Sequence, residues 1–154
     1  MTDAEKEQAL QEKLMYYLKG NFAAVQFCMY VVFVAHLWDD LIDQDNVRSE
    51  ADINNAFMIA LVEIPSNPFY MANVNELRPI MRNTIMQWLD ANKLERGTDH
   101  DKHMAFMLRS SICQIFNYCA YLVGGPEWAN EVGPHMRRLY EEPLEDFMKE
   151  FENA

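Results

Sequence analysis

The sequence predicts an all-α protein that folds as a single compact bundle of six or seven helices. Three observations predict it. No stretch alternates apolar and polar residues over the length of a strand, apolar residues recur at helical spacing, and most of the five glycines and six prolines separate the periodic stretches. Half of the 154 residues are hydrophobic, enough to bury a core, so residues 1–154 are expected to form one domain.

Start and stop signals justify the predicted helices of the first half of the chain. Gly20 ends a helix over residues 3–19, and Asn21 is placed as the N-cap of the next one. Ser49 opens a third helix with a capping-box pattern, and the prolines at 65 and 68 break it. The three predicted helices span residues 3–19, 22–44 and 50–63.

The second half of the chain carries similar signals. A fourth helix tolerates Pro79 in its first turn, and Thr98 with the acidic residues after it opens a long fifth helix. The glycine pair at 124–125 ends the fifth helix, and Pro126 suits the first turn of a sixth, which residues 133–134 (glycine and proline) are expected to interrupt. These helices span residues 76–92, 99–123 and from 126 onward, with a last short helix near residue 143.

Charge and cysteine content narrow the class of protein. The formal net charge is −11 and basic residues are scattered, so no nucleic-acid partner is expected, whereas basic partners and metal cations are favoured. The three cysteines lie in apolar runs without CxxC spacing, which is typical of reduced thiols and predicts a cytoplasmic protein. The longest apolar run, around residues 27–35, falls short of the roughly 20 residues of a membrane span, so none is expected.

An acidic face is predicted at the end of the second helix. With His36 at 0°, Asp40 lies near 40°, Asp43 near 340° and Asp39 near 300°, by the helical rotation of about 100° per residue. Carboxylates at these spacings repel one another, and a divalent cation would offset that cost. Carboxylate oxygens suit Mg²⁺, Mn²⁺ or Ca²⁺, and an added imidazole extends the choice to Zn²⁺ or Fe²⁺. A solvated helix end is the alternative.

A second stripe of polar residues is predicted on the fifth helix. Between residues 110 and 123 the sequence has no charged residue, which suggests that the polar side chains there are buried. They either line a cavity shared with the acidic face or form internal hydrogen bonds between helices. The stripe consists of His103, Met107, Ser110, Gln114, Asn117 and Tyr121.

The sequence Asp39-Asp40-Leu41-Ile42-Asp43 has the form DDxxD and resembles the first aspartate-rich motif of class I isoprenoid and terpene synthases. The resemblance implies a terpenoid-synthase-like bundle in which these three aspartates bind Mg²⁺ and thereby a prenyl diphosphate. It implies an enzyme of the lyase or transferase type, and a homodimer would let a chain of about half the family's length build a cavity. Candidate residues for binding the substrate are Arg109, Gln114, Asn117 and Tyr121, with Arg138 as a further candidate for the diphosphate.

A second resemblance is to small four-helix-bundle proteins of the DinB-like type. These bind a metal through one histidine on an early helix and two on a later one, and His36, His100 and His103 are similar in order. An acidic group near the C-terminus is either solvated or a second metal site; it comprises Glu141, Glu142, Glu145 and Asp146.

Three functional hypotheses therefore stand. The first is a divalent-metal site that binds a diphosphate or related anion, and the second is a DinB-like metal-binding protein. The third is a non-catalytic helical interaction protein, in which methionines and aromatic residues form the surface for a partner and the acidic helix end is merely solvated.

Overall fold

The computed structural model describes residues 1–152, which form helices and no strand, and this confirms the all-α prediction. The chain divides into two compact units, Met1–Asn75 and Glu76–Ala154. That residues 1–154 form one domain stays a prediction. The elements are α1 Asp3–Tyr17, α2 Phe22–Asp43, α3 Glu50–Met58, a π-helical segment Ile59–Glu63, α4 Ile64–Ser66, α5 Pro68–Ala72, α6 Val74–Leu94, α7 Asp99–Arg109, α8 Ile112–Arg137 and α9 Leu144–Lys149.

The predicted helix starts of the first unit are confirmed by their caps. The Asn21 side chain accepts a hydrogen bond from the Ala24 amide at 3.1 Å, and the Ser49 hydroxyl accepts one from the Asp52 amide at 3.1 Å. Gly20 has φ +72°, a left-handed conformation that suits glycine and ends α1.

Helix α2 is the centre of the first unit, as its apolar sequence predicts. Helices α1, α3 and α5 and the π-helical segment all pack against it. The Phe27 ring is fully buried and stacks on the Tyr70 ring, with centroids 5.7 Å apart, and it also contacts Phe69. Burial of such a ring stabilises the fold by roughly 1.5–3 kcal/mol.

Asn67 ends the long helical stretch that begins at Glu50. Its carbonyl oxygen Oδ1 accepts from the Tyr70 amide at 2.9 Å and so caps α5, while its Nδ2 donates to the Ala23 carbonyl at 3.0 Å. The side chain is buried, and both ends of its amide are satisfied. The break predicted from the prolines at 65 and 68 is therefore confirmed, and the buried asparagine between them also ties α5 to the start of α2.

Among the described residues, α2 alone is long and apolar enough to cross a membrane. The core helix of a soluble protein meets the same criterion of length and composition, and 28% of the apolar window of α2 is buried. The expectation that the chain has no membrane span stays a prediction.

The prediction of a single helix over residues 99–123 is wrong, because two separate helices cover this stretch. Thr98 caps α7 as predicted, but α7 ends at Arg109 and α8 begins at Ile112. Between them the amides of Ser111 and Cys113 bond to carbonyls three residues back, at 3.1 and 3.0 Å, in place of the four-residue spacing of an α-helix. The Ser110 hydroxyl also donates to the Met107 carbonyl at 2.8 Å, which competes with helical pairing.

Helix α8 contains a sharp turn at Gly125, where φ is +83° and ψ is −179°. The two halves run back along each other, since Cys113 Sγ lies 3.9 Å from the Arg137 carbonyl and the Asn117 amide faces Gly133. The predicted end of a helix at 124–125 is confirmed. The predicted interruption at 133–134 is wrong, because the helix continues through the exposed Pro134, where water can bind the carbonyl that loses its donor.

A small core joins α6, α7 and α9. Ala91, Ala105 and Phe147 are buried together. The Phe147 ring contacts the rings of Phe106 and Phe151, with centroids 5.4 and 5.2 Å apart. Helix α7 packs directly on α9, so the C-terminal helix is part of the second unit's core.

Candidate functional site

Asp40 of the predicted acidic face is held by hydrogen bonds from two neighbouring side chains. It lies on the last turn of α2 and is mostly shielded from solvent. Its Oδ2 accepts a hydrogen bond from Arg48 Nε at 2.6 Å, and its Oδ1 accepts one from Asn46 Nδ2 at 3.2 Å. The loop after α2 therefore folds back and supplies both donors.

The pKa of Asp40 reflects this arrangement. Burial raises it, but the hydrogen bonds from Arg48 and Asn46, together with the charges of Arg48 and His36, lower it below the usual 3.8. Asp40 is thus ionised at neutral pH and engaged by protein donors on both oxygens. To bind a cation, the carboxylate would have to give up at least part of this hydrogen bonding.

The other members of the acidic face differ in exposure. His36 and Asp43 are exposed, and Asp39 is partly buried. Within residues 1–152, no group of three or more histidine, cysteine, aspartate or glutamate side chains is placed to share one metal ion. The metal site at His36, Asp39, Asp40 and Asp43, and with it the resemblance to terpene synthases, stays a prediction.

Helix α7 carries three of the predicted site residues, and the DinB-like metal site that includes His100 and His103 stays a prediction. His100 and His103 are both exposed on its first turns. Arg109 is partly buried and pairs through Nε with Glu95, while its NH2 group donates to Asn92 Oδ1 at 2.8 Å. Arg109 therefore links the end of α7 to the end of α6, a structural contact that the sequence did not predict.

The four residues of the predicted C-terminal acidic group differ in exposure and in hydrogen bonding. Glu141, Glu145 and Asp146 are exposed, whereas the partly buried Glu142 accepts a hydrogen bond from the Tyr140 hydroxyl at 3.1 Å. Burial, a hydrogen bond with Glu142 and the charges of Glu142 and Glu95 raise the pKa of Glu150 to about 7. The Glu150 carboxyl is therefore protonated in part of the molecules near neutral pH, although Glu150 was not among the predicted residues.

Part of the predicted polar stripe does converge. Gln114, Asn117 and Tyr121 line one cleft of about 540 Å³ within the second unit. The cleft is formed by α6 and both halves of α8, and its other lining residues are Pro79, Ile80, Asn83, Tyr118, Ala129 and Arg137. His103, Met107 and Ser110 lie before the break between α7 and α8 and do not line it.

The structure also reveals an apolar surface that the sequence reasoning missed. On the helical stretch after Glu50, four large side chains are strongly exposed: Phe57, Met58, Leu61 and Val62. These four side chains form the apolar face. Ala56, Ile59 and Ile64 of the same stretch are buried and hold it to the unit. The sequence is apolar on every side of the helix over residues 56–62, and periodicity could not show which side is left uncovered.

The three cysteines are buried thiols, as expected. Burial raises the pKa of Cys113 to about 11, so its thiol is protonated and a poor nucleophile at neutral pH. No cysteine chemistry is therefore indicated at this position.

The chain matches no protein-family model, and neither the curated proteins nor the solved structures contain a match to it.

Proposed function

We propose that the protein is a non-catalytic helical interaction protein whose apolar face binds a basic amphipathic helix of a partner. One observation carries the proposal: Leu61 is 72% exposed, Phe57 59%, Met58 54% and Val62 47%. Four large apolar side chains this exposed on one stretch of helix are unfavourable in water, and such patches are typical of interaction sites.

Charge indicates the kind of partner. Before position 76 the chain has eleven acidic and four basic residues, a formal charge of −7. The segment from 50 to 75 contains Glu50, Asp52 and Glu63 but no lysine or arginine. An exposed apolar strip on an acidic unit complements a helix with one apolar and one basic face. A second copy of the chain would bring the same negative charge and is disfavoured.

The engaged state of Asp40 supports the same proposal. The Asp40 carboxylate at the acidic helix end is satisfied by Arg48 and Asn46 and needs no cation to offset its charge. The acidic face then acts as charged surroundings that attract a basic partner and accelerate its association.

The test measures binding of a short model helix made only of leucine and lysine to the full chain, by fluorescence anisotropy. Phe57→Ser together with Leu61→Ser removes apolar surface without changing charge, and is expected to weaken binding at least tenfold. Met71→Ser is the matched control, because Met71 is 61% exposed in the same unit but outside the apolar face, and it should leave the affinity unchanged.

Three results would contradict the proposal. Equal binding by the double variant and the control would mean that charge alone attracts the peptide. Sedimentation that shows a wild-type dimer, lost in the double variant, would identify a second copy as the occupant. Equally tight binding of a peptide with glutamate in place of lysine would remove the argument from charge.

A further inference from the structure

We infer that the cleft between α6 and the two halves of α8 is a binding site for a small organic carboxylate that also carries a hydroxyl or amino donor. This site belongs to the second unit alone and does not depend on the proposed partner surface. Its volume, about 540 Å³, lies within the range of roughly 300–1,000 Å³ typical of small-molecule sites.

Asn117 supplies the first requirement on the ligand. Its Oδ1 is shielded from solvent and has no hydrogen-bond partner among the described residues. The amide lies against Gly133, which offers no side chain to bond with it. An unsatisfied buried acceptor costs about 1–3 kcal/mol, so a ligand that donates an O–H or N–H to it gains that free energy on binding.

Arg137 supplies the second requirement. It is the one charged residue lining the cleft, and within residues 1–152 no carboxylate forms an ion pair with its guanidinium. A guanidinium without an ion-pair partner attracts an anion of matching planar geometry, and a carboxylate can accept two hydrogen bonds from it.

The remaining walls define the body of the ligand. Pro79, Ile80 and Ala129 are apolar, and the Tyr118 and Tyr121 rings pack against each other with centroids 5.5 Å apart. Burial, Glu76 and Tyr121 raise the pKa of Tyr118, which keeps its hydroxyl protonated and uncharged. These surfaces fit an apolar or aromatic body between the donor and the carboxylate.

The probe is 4-hydroxyphenylacetate, which has both groups, compared with phenylacetate, which lacks the donor, and 4-hydroxyphenylacetamide, which lacks the charge. Affinities are measured by ligand-observed NMR titration of the full chain. Wild type should bind the hydroxy acid at least several-fold more tightly than either analogue, since each analogue loses one of the two polar contacts.

Two arginine variants form a matched pair that leaves the core untouched. Arg137→Gln should weaken binding of the hydroxy acid by roughly tenfold or more, because a charge-assisted hydrogen bond is lost. Arg138→Gln removes the same charge from the next residue, which is exposed like Arg137 but does not line the cleft, and should leave the affinity unchanged.

Asn117→Leu separates a binding role from a structural one. If the amide serves a ligand, the leucine variant should lose binding and melt at a temperature no lower than wild type, because an unsatisfied buried polar atom has been removed. A lower melting temperature would assign Asn117 to the fold. That result, equal affinities of the two arginine variants, or failure of wild type to prefer the hydroxy acid over both analogues, would overturn the inference.

Discussion

Replacing Asp40 with asparagine tests whether the acidic helix end is held by protein contacts or prepared for a cation. The carboxylate accepts from Arg48 at 2.6 Å and from Asn46 at 3.2 Å, and the two side chains of the ion pair are only 15% and 25% exposed. The isosteric amide of asparagine removes the charge and places its own NH₂ group against Arg48 or Asn46, which are themselves donors. We therefore expect the folded state of Asp40→Asn to lose stability.

The size of the loss follows from two opposing effects. A charge-assisted hydrogen bond contributes about 1.5–3 kcal/mol when buried, and an exposed ion pair about 0–1 kcal/mol, so this partly buried pair lies between them. Removing the charge also relieves repulsion from neighbouring carboxylates by a few tenths of a kcal/mol. The expected net loss in the free energy of unfolding is about 1–2 kcal/mol.

Urea denaturation followed by circular dichroism, with EDTA present, measures this difference. The lowered pKa of Asp40 means that the contribution is present above the unfolded pKa of 3.8 and is lost as pH falls through the folded pKa, so wild type and variant should converge in acid. Asp45→Asn is the control, since Asp45 is exposed in the loop after the helix, and it should change stability little.

The opposite sign would refute this reasoning. If carboxylate repulsion dominates, as it would in a metal site without its metal, Asp40→Asn would be at least as stable as wild type in EDTA. Addition of Mg²⁺ or Zn²⁺ should then stabilise wild type but not the variant. That outcome would favour the metal-site hypothesis over the interaction protein.

The other predictions concern stability and reactivity. Phe27→Ala should lose about 3–5 kcal/mol in urea denaturation, because its buried ring packs on Phe69 and Tyr70; a loss below 1 kcal/mol would contradict the central position of α2. Gly125→Ala should lose about 1–3 kcal/mol of stability, because φ +83° is strained for alanine. Gly133→Ala should be nearly neutral, since its Cβ would meet the nearest Asn117 atom at an ordinary 3.5 Å. Equal effects of the two substitutions would contradict the turn in α8. The folded pKa of Glu150 is raised to about 7, so its contribution to the free energy of unfolding is fully present below the unfolded pKa of 4.5 and is lost as pH rises to about 7. Because the side chain is largely exposed, this loss of stability should be at most about 1 kcal/mol. The loss should be absent in Glu150→Gln. Cys113 should react with a thiol reagent only as fast as the protein opens, and rapid labelling of the native chain at this position would contradict its burial.

Local chemistry made much of the fold predictable. Asn21, Ser49 and Thr98 can satisfy the first free amides of a helix with their own side chains, so three helix starts follow from sequence alone. Gly20 and Gly125 adopt backbone conformations that most other residues avoid, so the helix ends at these glycines could also be predicted from the sequence. The apolar sequence of α2 likewise predicted its central place.

Tertiary contacts decided what these local signals left open. The pairing of Asp40 with Arg48, eight residues away, depends on how the loop folds back, and the break at Ser110 and Ser111 interrupts a sequence that is compatible with one helix. Only the return of α8 along itself places Asn117 beside Gly133 and Arg137 at the same cleft.

The physical reason is the range of the interactions involved. Capping and backbone strain act within one helical turn, and the sequence specifies them directly. Which side of an apolar helix is covered, and which carboxylate meets an arginine, depends on segments far apart in the chain. The exposure of Phe57 and Leu61, on which the proposed function rests, is therefore a property of the folded unit, and periodicity alone could not have predicted it.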